Sequence, residues 1–90
     1  MYLHLGQDII VNMRDIVGVF DLDNSTMSRQ TREFLSRAQR EGRVVNVSME
    51  LPRSFVVCAH NGRETVYISQ ISTATLLRRA SGGGALAAES

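Results

Sequence analysis

Ninety residues at 43% hydrophobic and 21% charged make one small globular domain and exclude a disordered chain. A chain of this size buries roughly 60–68% of its unfolded surface, so it stands alone with little reserve. The net charge of +1 is too small for one copy to hold a polyanion tightly, since affinity for phosphate backbones grows with the number of charges neutralised.

Taken from the N-terminus, Tyr2 to Leu5 alternates, with Leu3 and Leu5 on one side and Tyr2 and His4 on the other. Gly6 ends this strand. Ile9, Ile10 and Val11 mark a second short strand over Asp8 to Asn12, and Gly6-Gln7 is short enough to turn a hairpin between the two, a single kinked strand being the alternative. Asp15 to Leu22 reads as a buried strand. Gly18 weakens it unless another group approaches closely there.

Asp23-Asn24-Ser25-Thr26 is a polar break and a supply of helix N-caps. Met27, Thr31, Phe34, Leu35 and Ala38 then fall on one stripe of a 3.6-residue period, which predicts an amphipathic helix. Arg29, Arg32, Glu33, Ser36 and Arg40 lie on the opposite, outward side, and Glu33 and Arg37 are spaced for an i,i+4 pair. Gly42 supplies the C-terminal stop. Arg43 to Val47 is another strand, and Ser48 to Pro52 a loop.

The stretch from Arg53 to Ser69 is the one around which the chain is organised. Arg53 to Ala59 and Thr65 to Ser69 are two runs rich in β-formers. Asn61-Gly62 lies between them, and both residues tolerate the positive φ of a tight turn, so the runs should pair antiparallel. The first run shows no alternation from Phe55 to Ala59 and is expected to be covered on both faces. The second alternates and is expected to be half exposed, with Val66 and Ile68 facing one way and Thr65, Tyr67 and Ser69 the other. Ile71 to Ala80 is a short closing helix in which Ser72 caps and Ile71 and Leu76 staple. Residues 1–80 thus form one domain and 81–90, rich in Gly and Ala, a flexible tail. The fold class is α+β: a small, mostly antiparallel sheet covered by one amphipathic helix, with a short helix at the C-terminus.

Enzyme chemistry is weakly signalled. Cys58 is the lone cysteine, placed mid-strand as a core filler, and its reduced state fits a cytoplasmic setting. His4 and His60 have no spaced metal partners, and no glycine-rich phosphate loop follows a strand. Asp21 and Asp23 sit at a strand end, where capping accounts for them. No membrane span or signal segment is expected, nor any cofactor, metal or small-molecule substrate.

The arginines carry more. All ten basic residues are Arg. Either the coding bias of a genome or a use for planar, bidentate phosphate-binding groups produces such a pattern. Arg14, Arg43, Arg53 and Arg63 all stand at predicted strand ends or turns. Gathered on one rim of a sheet they would form a phosphate-contacting surface, and a ring of identical copies would multiply it.

Five stretches also resemble a known family. Tyr2 to Gly6 with Arg14 to Asp21 (Arg-Asp-Ile-Val-Gly-Val-Phe-Asp), Pro52 to Val57, and Tyr67 to Ser69 with Ser72 to Leu76 are similar to the bacterial extracellular-matrix regulatory proteins, the RemA/RemB family, in its RemB type. The likeness reaches about residue 80 and leaves out the glycine tail. It implies a cytoplasmic, ring-forming, DNA-binding transcriptional regulator of biofilm-matrix genes with a fold like that of LytTR-type DNA-binding domains. RemA-type members contact DNA through one arginine near the third strand and an adjacent pair before the hairpin. In an ungapped comparison Asp15 stands at the first position, with Arg14 beside it. Leu51 and Pro52 stand at the pair, with Arg53 next to them.

Two functional readings fit these residues. In the first, a ring-shaped homo-oligomer binds double-stranded DNA, with phosphates held by Arg14, Arg43, Arg53 and Arg63. In the second, the chain is an oligomeric interaction module without DNA affinity, its arginines tied up between subunits or on an acidic partner.

Overall fold

The structure, a computed structural model, describes residues 1–23 and 27–82. In chain order the elements are β1 (Tyr2–Gly6), β2 (Ile9–Asn12), a single 3-10 turn (Met13–Asp15), β3 (Ile16–Asp21), α1 (Arg29–Arg40), β4 (Val44–Asn46), β5 (Ser54–His60), β6 (Arg63–Ser69) and α2 (Thr73–Gly82). The fold is α+β. β1 and β2 form a two-stranded sheet, and the other four strands form a second sheet in the order β3-β5-β6-β4.

The β5–β6 hairpin is the expected one. His60 pairs with Arg63, and Asn61 and Gly62 between them have φ of 53° and 78°, the double positive φ of a type I′ turn. β5 is central, flanked by β3 and β6. Its side chains divide between two cores: Phe55 and Val57 enter one with Val66 and Ala38, while Val56 and Cys58 enter the other with Leu3, Leu5, Val11, Val47 and Leu76. That division explains the absence of alternation, because an apolar residue is wanted on both sides.

One sheet face is covered by α1 through Phe34, Leu35 and Ala38. The other carries the β1–β2 hairpin and α2. This second cover corrects the expectation of a half-exposed β6: Ser69 is fully buried and Tyr67 packs against the second core. Ser69 Oγ donates to Leu5 O at 2.7 Å and accepts from Ile71 N–H at 3.0 Å. Ser54 Oγ donates to Ile71 O at 2.7 Å. Two buried hydroxyls thus pin the N-terminal hairpin and the lead into α2 onto the sheet, and each has the partner that a buried polar group requires.

β3 differs from its sequence reading. It is an edge strand with Val17 65% exposed, not a buried one. A Cβ at Gly18 would come within 2.9 Å of the Phe20 ring, which itself stacks on Phe55 with centroids 4.8 Å apart. The close approach that Gly18 permits is therefore by a side chain. The sheet is not wholly antiparallel either, since β4 pairs with β6 in parallel.

Ser28, not the preceding polar break, caps α1, accepting from Thr31 N–H at 3.1 Å. Asn24, Ser25 and Thr26 lie outside the described residues. Gly42, at φ 72°, ends the helix. Its N–H bonds Gln39 O at 3.2 Å and that of Arg43 bonds Ala38 O at 2.9 Å, the paired bonds of a Schellman motif. Ser72 caps α2 as the sequence indicates, through Thr75 N–H at 3.2 Å, with Ile71 and Leu76 in one core. Of residues 81–90, Ser81 and Gly82 complete α2, and 83–90 lie outside the described residues. None of the helices described is long and apolar enough to cross a membrane.

Candidate nucleic-acid interface

The topology decides which arginines meet. Arg63 opens β6 beside the Asn61-Gly62 turn, Arg43 precedes the parallel β4, and Arg14 precedes β3, whose Ile16 pairs with Cys58. These three share one end of the four-stranded sheet. Arg53 precedes β5 at the opposite end, roughly 20 Å away along a seven-residue strand. The single rim expected of the four arginines is thus three plus one.

Each has a different electrostatic setting. Arg43, 24% exposed, is clamped: its Nε donates to Glu41 at 2.8 Å and its NH1 to Glu64 at 3.0 Å. Its guanidinium also stands 6.0 Å from the centre of the Phe34 ring, within cation–π range. The Schellman turn delivers it there. Arg53 meets Asp23 through Nε at 3.1 Å and NH2 at 3.0 Å, with both side chains about half exposed. Arg14 and Arg63 are exposed and meet no carboxylate within ion-pair distance among the described residues.

Three acids stand among the three arginines of the shared rim: Asp15, Glu41 and Glu64. Asp15 lies 3.3 Å from His60 Nδ1, in a contact that leaves the His60 side chain 70% exposed. It ties the 3-10 turn to the end of β5. Among the described residues Asp21 and Asp23 cap no helix: Asp21 accepts from Asp23 N–H at 2.7 Å and Asp23 holds Arg53.

Behind this rim, burial and then the negative charge of Asp15 push the Cys58 thiol up to about 11. A thiol so placed stays protonated and unreactive near neutrality, which supports the core-filler reading. Burial, with Cys58 and Asp15, raises Tyr67 as well. Among the described residues no group of three His, Cys, Asp or Glu is placed to hold a metal ion.

A further arginine-rich surface lies elsewhere. Arg29, Arg32, Arg37 and Arg40 line an open trough of about 620 Å³ on α1 with Glu33 and Ser36. Arg29 pairs with Glu33 at 3.1 Å, in place of the expected Glu33–Arg37 pair. The outward stripe of α1 is legible in the sequence from the helical spacing of Arg29, Arg32 and Arg40.

Comparison with known proteins fits this architecture. Residues 2–80 match the family model described as "RemA-like: Extracellular matrix regulatory protein A-like". The chain is also 41% identical over 80 residues to extracellular matrix regulatory protein B of Bacillus subtilis (strain 168), covering 89% of this chain and 90% of that one. The matched span takes in both sheets and all but the last two residues of α2, so this chain belongs to the RemA-like family of extracellular matrix regulatory proteins.

Proposed function

We propose that the protein is a DNA-binding transcriptional regulator of extracellular-matrix genes that works as a ring-shaped homo-oligomer in the cytoplasm. The observation that carries the reading is family membership across nearly the whole domain. The geometry supports it through Arg14 and Arg63, two exposed guanidinium groups at one end of the sheet with no carboxylate on them among the described residues. Arg53 adds a third contact at the far end by exchanging Asp23 for a phosphate, while Arg43 serves by holding the rim together. Assembly follows from the sheet: β3 and β4 are its two edges, and open edges in so small a sheet invite pairing. If the β3 edge of one copy meets the β4 edge of the next, the contact is head-to-tail, and a ring results where the rotation from copy to copy divides a full turn.

Duplex titration by fluorescence anisotropy at low salt tests the reading. Native protein binds, and Arg14→Gln/Arg63→Gln binds several-fold more weakly across sequences, as expected for lost phosphate contacts. No duplex affinity in the native protein would end it. The second reading, an oligomeric module without DNA affinity, draws support from the carboxylates on Arg43 and Arg53 and from the charge balance of the rim. It is the one left standing if the native protein assembles yet ignores duplex at every salt concentration.

A further inference from the structure

The outer face of α1 is built against the needs of an isolated helix. Arg29 occupies the first helical position and Arg32 the end of the first turn, and no acid stands in that turn. Cations there oppose the positive end of the helix dipole. Arg29 and Arg32, and again Arg37 and Arg40, are like-charge neighbours three residues apart, an unfavourable spacing. At 3.6 residues per turn the four arginines, Glu33 and Ser36 span an arc of about 140°, opposite the stripe that enters the core. All six are exposed. Arg32, Arg37 and Arg40 meet no carboxylate within ion-pair distance among the described residues. A face that is merely solvated mixes its signs, and this one carries four positive charges against one negative.

We infer that this face is a second polyanion-binding surface, whose occupant is the phosphate backbone of duplex nucleic acid. The inference rests on the DNA-binding reading and adds a row of phosphate contacts on α1 to those of the sheet rim. The chemistry of the trough selects the occupant. Single-stranded nucleic acid needs exposed aromatic rings for its bases to stack on, and the one aromatic of α1, Phe34, faces the core. A protein partner needs an apolar or aromatic anchor at the centre of its footprint, and no residue lining the trough is apolar. A lipid surface needs an apolar stripe beside the charges, and that stripe is already buried under the sheet. A duplex backbone asks only for guanidinium groups in a row. From Arg29 to Arg40 the helix rises about 16 Å, which parallels roughly five base-pair steps of duplex axis.

The test is the salt dependence of affinity, measured on the full chain by anisotropy of a labelled duplex of arbitrary sequence. Arg32→Gln/Arg37→Gln/Arg40→Gln keeps the helical circular dichroism, because the three side chains stand outside the core. It lowers the magnitude of the slope of log K against log salt by about 2 to 3. Arg32→Lys/Arg37→Lys/Arg40→Lys, which keeps the charge, restores most of the slope. An unchanged slope in the glutamine variant, alongside a loss in Arg14→Gln/Arg63→Gln, overturns the inference and leaves the DNA-binding reading in place. No affinity in the native chain removes both. Loss of polyglutamate binding in the glutamine variant without loss of duplex binding assigns the face to an acidic protein and overturns the inference too.

Discussion

Cys58 shows what a single buried group does to the domain as a whole. Its thiol loses a proton near pH 9 in the unfolded chain and only near 11 in the folded one. The folded state therefore binds more protons between these values, and stability falls as pH rises through that window, by an amount of the order of 2 kcal/mol. Below pH 9 the contribution is fully present. Tyr67, also raised, acts in the same direction. Urea denaturation at pH 8 and pH 10.5 should show this loss, and Cys58→Val should flatten part of it. Gly62 makes a second case. A Cβ there would meet nothing within 4 Å, yet φ is 78°. Gly62→Ala should therefore cost about 1–2 kcal/mol from conformation alone, readable as a lowered denaturation midpoint with an unchanged m-value.

At the scale of elements, the hairpin and α1 were legible in the sequence because their signals are local. Asn-Gly demands its turn whatever surrounds it, and the stripe of Phe34, Leu35 and Ala38 fixes the helix face. The cap was not legible. Several cap-competent residues stand between Asp23 and Ser28, and Met27 fits the helical stripe while preceding the helix, so periodicity could not choose among them. Partnerships of the arginines were hidden for a different reason: Arg43 and Glu64 are 21 residues apart and Arg53 and Asp23 are 30, separations at which only the folded sheet decides. The edge position of β3 and the parallel pairing of β4 were hidden likewise. The clamp on Arg43 makes a prediction at this scale. It links the end of α1 to β6 through two ion pairs and Phe34. Arg43→Ala should destabilise the domain by about 1–2 kcal/mol in thermal unfolding, more than an exposed pair is worth, because the side chain is only 24% exposed. Arg43→Lys should recover little of it, having one point charge for two carboxylates. Arg29→Ala, whose pair with Glu33 is largely exposed, should change stability by less than about 0.5 kcal/mol.

For the whole molecule, both faces of the sheet are covered within one chain, while among the described residues its edges are not. Val17 on β3 and Val45 on β4 are exposed, as is Leu51 in the loop between β4 and β5. Scattered exposed apolar residues are ordinary, but two of these lie on edge strands that a neighbouring copy would cover in the proposed ring. Val17→Asp should accordingly shift sedimentation toward the single chain without lowering the helical signal. Retained assembly in that variant would place the contact elsewhere.

Assembly and arginine chemistry meet in one experiment: sedimentation velocity of the protein with a labelled duplex, followed at the label's wavelength. A ring that grips phosphates gives a fast boundary whose mass corresponds to several chains on one duplex and which dissolves as salt is raised. A duplex that sediments alone at low salt, or one that carries a solitary chain, would contradict it.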